Sequence, residues 1–165
     1  MPPRDLNHAE LALLEPMPHQ SDFFRRRLRI LVVDDEASIR EIVDATLREE
    51  GHFVQTAIDG LDGLEHFRRG AWDVVVTDRA MPGLSGEQLA GEIKIASPYL
   101  PVIMLSGFTP GVSDISDRPH GVDLMVRKPF RLDALCEAVK RAAQLYSGDT
   151  DSGEEGSDGH ERAAS

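Results

Sequence analysis

The 165-residue chain predicts an α/β fold, a doubly wound five-stranded parallel sheet with helices on both faces. Three observations predict it. Short apolar runs of strand length alternate along the chain with longer stretches whose apolar residues recur at helical spacing. The runs are compactly apolar, as in a strand covered on both sides. Strands separated by helices need crossover connections, which are right-handed and make neighbouring strands parallel.

Each element follows in order. A first strand over 28–33 ends in Asp34, Asp35 and Glu36. Ile39, Ile42, Val43 and Leu47 then recur as one helical face, Ser38 and Glu41 fit a capping box, and Gly51 is a stop signal. A second strand over 53–57 precedes a helix bearing Leu61, Leu64 and Phe67, and a strongly apolar third strand over 73–77 ends on Asp78. Ser85 and Gln88 form a second capping box, for a helix carrying Leu89, Ile93 and Ala96 that stops before Pro98. The fourth strand covers 101–105. Residues 107–121 include Pro110 and Pro119 and few apolar positions, which predicts a short or irregular helix. A fifth strand over 122–126 and an amphipathic helix with Leu132, Leu135, Val139 and Ala142 complete the pattern.

Composition divides the chain into an N-terminal extension over 1–27, a domain over 28–146 and an acidic tail over 147–165. The extension carries Pro2, Pro3, Pro16 and Pro18 around a short apolar stretch and is expected to be flexible. The tail holds Asp149, Asp151, Glu154, Glu155, Asp158 and Glu161 against Arg162 alone, so it is expected to stay solvated and disordered. A net charge of -11 argues against nucleic acid as a partner, and the run Arg25, Arg26, Arg27 and Arg29 reads as a solvated flank. The chain opens without a signal peptide's order of charge and apolarity, and no apolar run approaches the ~20 residues of a membrane span, so a cytoplasmic location without membrane contact is expected. The single cysteine, Cys136, lies in a helical pattern and reads as a packed thiol. The histidines show no metal-ligand spacing.

The chemistry gathers at strand ends. Asp34 and Asp35 follow the first strand and Asp78 ends the third, so all three acids reach the same edge of the sheet, where such sheets bind ligands. Converging carboxylates repel unless a cation neutralises them, and an all-oxygen cluster suits a hard divalent ion, Mg2+ above all. Ser106 after the fourth strand and Lys128 after the fifth add a hydroxyl and an ammonium, both phosphate ligands. Asp78, standing apart from the paired acids, is the best placed nucleophile for a phosphoryl group. Each residue alone has a bland reading: helix-starting acids, a strand-end hydroxyl, a surface cation. Their order along the chain carries the inference.

The motifs Asp34-Asp35, Asp78-Arg-Ala-Met81-Pro82-Gly-Leu-Ser-Gly86, Ser106-Gly107 and Lys128-Pro129-Phe130, each at a strand end, resemble the receiver domain of two-component response regulators over about residues 29–146. The resemblance implies a flavodoxin-like sheet of order 2-1-3-4-5. It implies that Asp78 is phosphorylated and binds Mg2+ together with Asp35 and the carbonyl of Ala80, Asp34 acting partly through water. It also implies that Lys128 and Ser106 contact the phosphoryl group, and that the Lys128–Pro129 bond is a cis candidate. The expected donor is a histidine kinase or histidine phosphotransfer protein, and the expected output is contact with a downstream protein, from a monomer or weak dimer. No periodic region follows Tyr146, so no DNA-binding output is expected. Like the family, the chain is expected to be no enzyme toward outside substrates, catalysing only its own aspartyl phosphorylation and dephosphorylation.

One position departs from the pattern. Receivers usually carry an aromatic residue three places before the lysine, where this chain has Met125, a flexible side chain able to repack when Ser106 moves. An alternative is therefore a phosphorylation-independent interaction module that keeps the receiver fold; the intact acids argue against it. A metal-dependent phosphatase is disfavoured because the second acid such enzymes place two residues after the nucleophile is here Ala80. Ala80 and Phe108 offer no polar side chain to attacking water, which predicts a long-lived phosphoryl group.

Overall fold

The computed structural model describes residues 26–107 and 118–147. The N-terminal extension up to residue 25, Phe108 with most of the segment expected to be irregular, and nearly all of the acidic tail lie outside the described residues.

Five strands, β1 (Arg29–Val33), β2 (Phe53–Ala57), β3 (Val74–Asp78), β4 (Val102–Ser106) and β5 (Leu124–Arg127), form one parallel sheet in the order β2-β1-β3-β4-β5. Helices α1 (Ala37–Glu49), α2 (Gly60–Arg69), α3 (Gly86–Ala96) and α4 (Leu132–Gln144) cover it. The two-residue period of the strands sorts the core into two layers. Ile30, Val32, Val74, Val76, Ile103 and Leu105 face Val43 and Leu47 of α1 and Leu135 and Val139 of α4. Leu31, Val33, Val75, Val102 and Met104 face Leu89 and Ile93 of α3, with Leu64 and Phe67 of α2 at the margin. Continuous apolar strands are thus the consequence of two covered faces.

The chain leaves β1 for β2 on one side and reaches β3 on the other, so the strand order reverses between β1 and β3. Asp34 and Asp78 stand at the carboxyl ends of these two strands, beside the crevice such a reversal opens.

Ser85 caps α3 as expected: its hydroxyl accepts the Gln88 N–H at 3.2 Å while the Gln88 side chain accepts the Ser85 N–H at 3.0 Å. Gly51 follows α1 at φ +92°, a left-handed position that suits glycine. The capping box expected at Ser38 and Glu41 does not form. The helix already begins at Ala37, so Ser38 lies within the first turn, and its hydroxyl donates to the Glu36 carboxylate at 2.9 Å. Within the basic run Arg26, Arg27 and Arg29 are exposed, as a solvated flank would be, Arg25 lying outside the described residues, yet Arg29 is also engaged. Arg29 opens β1 opposite Phe53, donates to the Ala71 carbonyl at 2.7 Å, and lays its guanidinium over the Phe53 and Trp72 rings. The fifth strand starts at Leu124 instead of residue 122, because the Asp123 carboxylate is taken by the Val102 N–H at 2.8 Å and by the Lys94 ammonium at 2.7 Å.

Candidate functional site

The crevice floor is built from three strand ends. Asp34 follows the fully buried Val33, is itself fully buried, and takes the Glu36 N–H on one carboxylate oxygen at 2.9 Å. Its backbone is held from both sides: its N–H donates to the Ala57 carbonyl at 3.2 Å, and its carbonyl accepts Arg40 Nη1 at 2.8 Å. Asp35 is exposed and Asp78 is 8 % exposed. One carboxylate oxygen from each of Asp34, Asp35 and Asp78 lies within 4.8 Å of the others.

Lys128 reaches this cluster from the far edge. Its N–H donates to the Ser106 carbonyl at 2.7 Å, which seats residue 128 at the end of β4. Its ammonium then donates to Asp78 Oδ1 at 2.9 Å and to Asp34 Oδ2 at 3.1 Å. The Lys128–Pro129 peptide is cis. Ser106, buried, ends β4 opposite Arg127. Ala80 is exposed two residues beyond Asp78, and Met125 is half-buried against the core layer of α3, opposite Met104.

Electrostatics follow from burial and pairing. Burial pushes the Asp34 carboxyl above the ordinary aspartate range, an effect that the Glu36 N–H and Lys128 oppose without cancelling. For Lys128, burial alone would lower the pKa, but the hydrogen bond to Asp78 and the charge of Asp34 outweigh it, so the ammonium is held above its usual value. The Lys128 ammonium thus serves two of the three clustered carboxylates, Asp34 and Asp78, leaving negative charge for a further cation. The donor set is all oxygen and converges from two strands, which fits a hard divalent ion such as Mg2+, with Asp34, Asp35 and Asp78 as its holders.

Two residues support the site without taking part in its chemistry: Arg40, which sequence reasoning did not single out, and Gly86, which it read only as the end of the motif that starts at Asp78. Arg40 is one helical turn into α1 and clamps the Asp34 carbonyl; nothing in its spacing separates it from a solvated arginine. Gly86 opens α3 directly beneath Asp78: a Cβ there would stand 2.0 Å from the Asp78 carbonyl oxygen, so only glycine lets the helix start this close. Its place just after the Ser85 cap was the available signal.

A doubly wound sheet in this order, with paired acids after β1, a third acid ending β3 and a lysine after β5 converging at the switch point, defines a receiver-type α/β domain. The chain belongs to the response regulator receiver domain family, whose model matches residues 30–140. It is 34% identical over 113 residues to the transcriptional regulatory protein DltR of Streptococcus agalactiae, covering 68% of this chain and 50% of that protein. It is also 34% identical over 108 residues to the transcriptional regulatory protein TcrA of Mycobacterium tuberculosis, covering 66% of this chain and 43% of TcrA. The chain thus spans half or less of the length of these two curated relatives. Among solved structures it is similar to the response regulator TrrA of Thermotoga maritima in complex with Mg2+-BeF, at 41% identity and a TM-score of 0.62, covering 69% of this chain and 97% of that one. A response regulator receiver domain protein from Clostridium thermocellum matches at 35% identity and a TM-score of 0.64, covering 70% and 93%. Among the described residues no helix is long and apolar enough to cross a membrane.

Proposed function

We propose that this receiver accepts a phosphoryl group on Asp78 and signals by protein contact. The observation that carries the reading is Lys128, whose ammonium bridges Asp78 and Asp34 at the strand-order reversal. An Asp78 carboxylate oxygen attacks the phosphorus of a phosphohistidine on a histidine kinase or histidine phosphotransfer protein. A P–O bond forms, the P–N bond breaks, and its electron pair stays on the imidazole nitrogen. Lys128 moves its donated hydrogen bond from the carboxylate to a phosphoryl oxygen, and the Ser106 hydroxyl donates to another once transfer is complete. Mg2+, held by Asp35, Asp78 and the Ala80 carbonyl with Asp34 in support, supplies positive charge for the phosphoryl oxygens when bound. The similarity to TrrA, solved with Mg2+-BeF, supports this assignment.

The only catalysis proposed is formation and hydrolysis of the protein's own aspartyl phosphate. Met125 repacks against its core layer when Ser106 engages the phosphoryl group and so reports the state to a downstream protein. DltR and TcrA are transcriptional regulators, but the match falls on the receiver region, and the proposal for that region is a cytoplasmic protein partner, with no contact to nucleic acid or membrane.

The test incubates the protein with acetyl phosphate and Mg2+ and measures intact mass. One added phosphoryl group in the wild type and none in Asp78→Asn is expected. Persistent modification of Asp78→Asn moves the site elsewhere, and no adduct from acetyl phosphate or from a phosphorylated histidine protein favours a phosphorylation-independent module. Loss of the phosphoryl group within seconds would overturn the expected long lifetime.

A further inference from the structure

The edge of the sheet opposite Asp78 holds a cavity of about 400 Å³ that the phosphoacceptor chemistry does not use. Its lining mixes aromatic and apolar side chains, Phe67 of α2, Trp72 before β3 and Tyr99 and Leu100 before β4, with the polar groups of Arg26, Asp73, Ser97 and Ser147. Tyr99 is 71% exposed although its ring meets Tyr146 edge-on at 5.7 Å, so a large aromatic surface stands open at the mouth.

Both ends of the described chain reach this mouth, since Arg26 and Ser147 line it. They differ in what they lead to. The residues after Ser147 contain nothing more apolar than Ala163 and Ala164 and carry six acids, whose burial against aromatic walls would cost their hydration. The residues immediately before Arg26 are Phe23, Phe24 and Arg25. The approach of that end is set by Asp73, which accepts Arg26 Nη2 at 3.0 Å on one oxygen and the Arg29 N–H at 2.8 Å on the other. At ~3.5 Å per residue, Phe24 lies within ~7 Å and Phe23 within ~11 Å of Arg26 along the chain.

We propose that Phe23 and Phe24 of this chain fill the cavity, so that the N-terminal extension docks on the receiver with the arginine run at the rim. Two aromatic rings match Phe67, Trp72 and Tyr99 of the lining, and the arginines carry charge opposite to that of Asp73, which also lines it.

Trp72 is the only tryptophan in the chain and lines the cavity, so it reports occupancy directly. In the full-length protein, the double variant Phe23→Ser/Phe24→Ser is expected to shift Trp72 emission to longer wavelength and to raise its quenching by acrylamide. The far-UV circular dichroism should stay unchanged, and Phe23→Leu/Phe24→Leu should stay near the wild type. Unchanged emission and quenching in the serine variant overturns the proposal. A change seen only on deletion of residues 148–165 assigns the cavity to the acidic tail and also overturns it. Wild-type emission that shifts on dilution assigns it to a second copy and likewise overturns the docking. Should the serine variant fail to fold, nuclear Overhauser contacts between the Phe23 or Phe24 rings and the Trp72 indole of the wild type decide: their presence supports the docking and their absence overturns it.

Discussion

Replacing Gly86 and Gly91 by alanine, one at a time, should move stability in opposite directions although both lie in α3. At Gly91 no atom stands within 4 Å of an added Cβ, so alanine removes only glycine's entropic cost and stabilises by ~0.5–1 kcal/mol. At Gly86 the Cβ would meet the Asp78 carbonyl oxygen at 2.0 Å, its carbon at 3.0 Å and Arg79 Cα at 3.1 Å. All three are backbone atoms, so no rotamer change relieves the contact, and the carbonyl must retreat by roughly 1 Å. That motion pulls on the Arg79 N–H bond to the Leu105 carbonyl, 2.9 Å, which ties the end of β3 to β4. Overpacking at ~1–3 kcal/mol with a weakened hydrogen bond at ~1 kcal/mol gives a destabilisation of ~2–4 kcal/mol. With a urea slope of roughly 2 kcal/mol/M, the midpoint should fall by ~1–2 M for Gly86→Ala and rise by a few tenths for Gly91→Ala. Because the displaced carbonyl belongs to Asp78, phosphorylation by acetyl phosphate should slow by up to ~100-fold in Gly86→Ala and stay at the wild-type rate in Gly91→Ala. Shifts of the same sign in the two variants would refute the reasoning.

Three further outcomes can be measured. Lys128→Met leaves Asp34, fully buried, and Asp78 without their ammonium, so metal-free stability in urea should drop by about 1–3 kcal/mol, discounted for the partial exposure of Lys128. Saturating Mg2+ at ~100 times its dissociation constant should raise wild-type unfolding free energy by ~2.7 kcal/mol, chelation should reverse the gain, and Asp35→Asn should lose most of it. The Tyr146 hydroxyl donates to Asp123 at 2.6 Å, and that bond pushes its pKa up to about 12. The folded state therefore keeps a proton that the unfolded state releases from about pH 10, so this contribution to stability is present below pH 10 and is lost as pH rises toward 12. An ultraviolet titration of tyrosinate, wild type minus Tyr146→Phe, should show the late component, and a difference midpoint near 10 would count against it.

The sequence alone carried the alternation of strands and helices, the Ser85–Gln88 cap and the acids at strand ends, because each is written in residues close together. Periodicity and capping are local physics, set by a turn of helix or a pair of alternating side chains. The chemistry of Asp34, Asp35, Asp78, Ser106 and Lys128 was argued from their strand-end positions, whereas the order 2-1-3-4-5 and the part of the Ala80 carbonyl came from resemblance to a family, which the matching family model supports at the level of the receiver domain. Ser38 failed as a cap because the helix began two residues earlier than its pattern, and Arg29, although exposed, is engaged because Phe53 and Trp72 approach it from elements far along the chain.

Only the tertiary structure decided which groups meet. That Lys128 bridges Asp34 and Asp78 across 94 and 50 residues of chain, that Arg40 clamps the Asp34 carbonyl, and that Gly86 must be small beneath Asp78 are facts of strand order and crossover packing. The kinds of chemistry available were legible in the sequence, since residue type and strand-end position set them. Their distances and burial were not, because those depend on backbone atoms brought together from opposite ends of the fold.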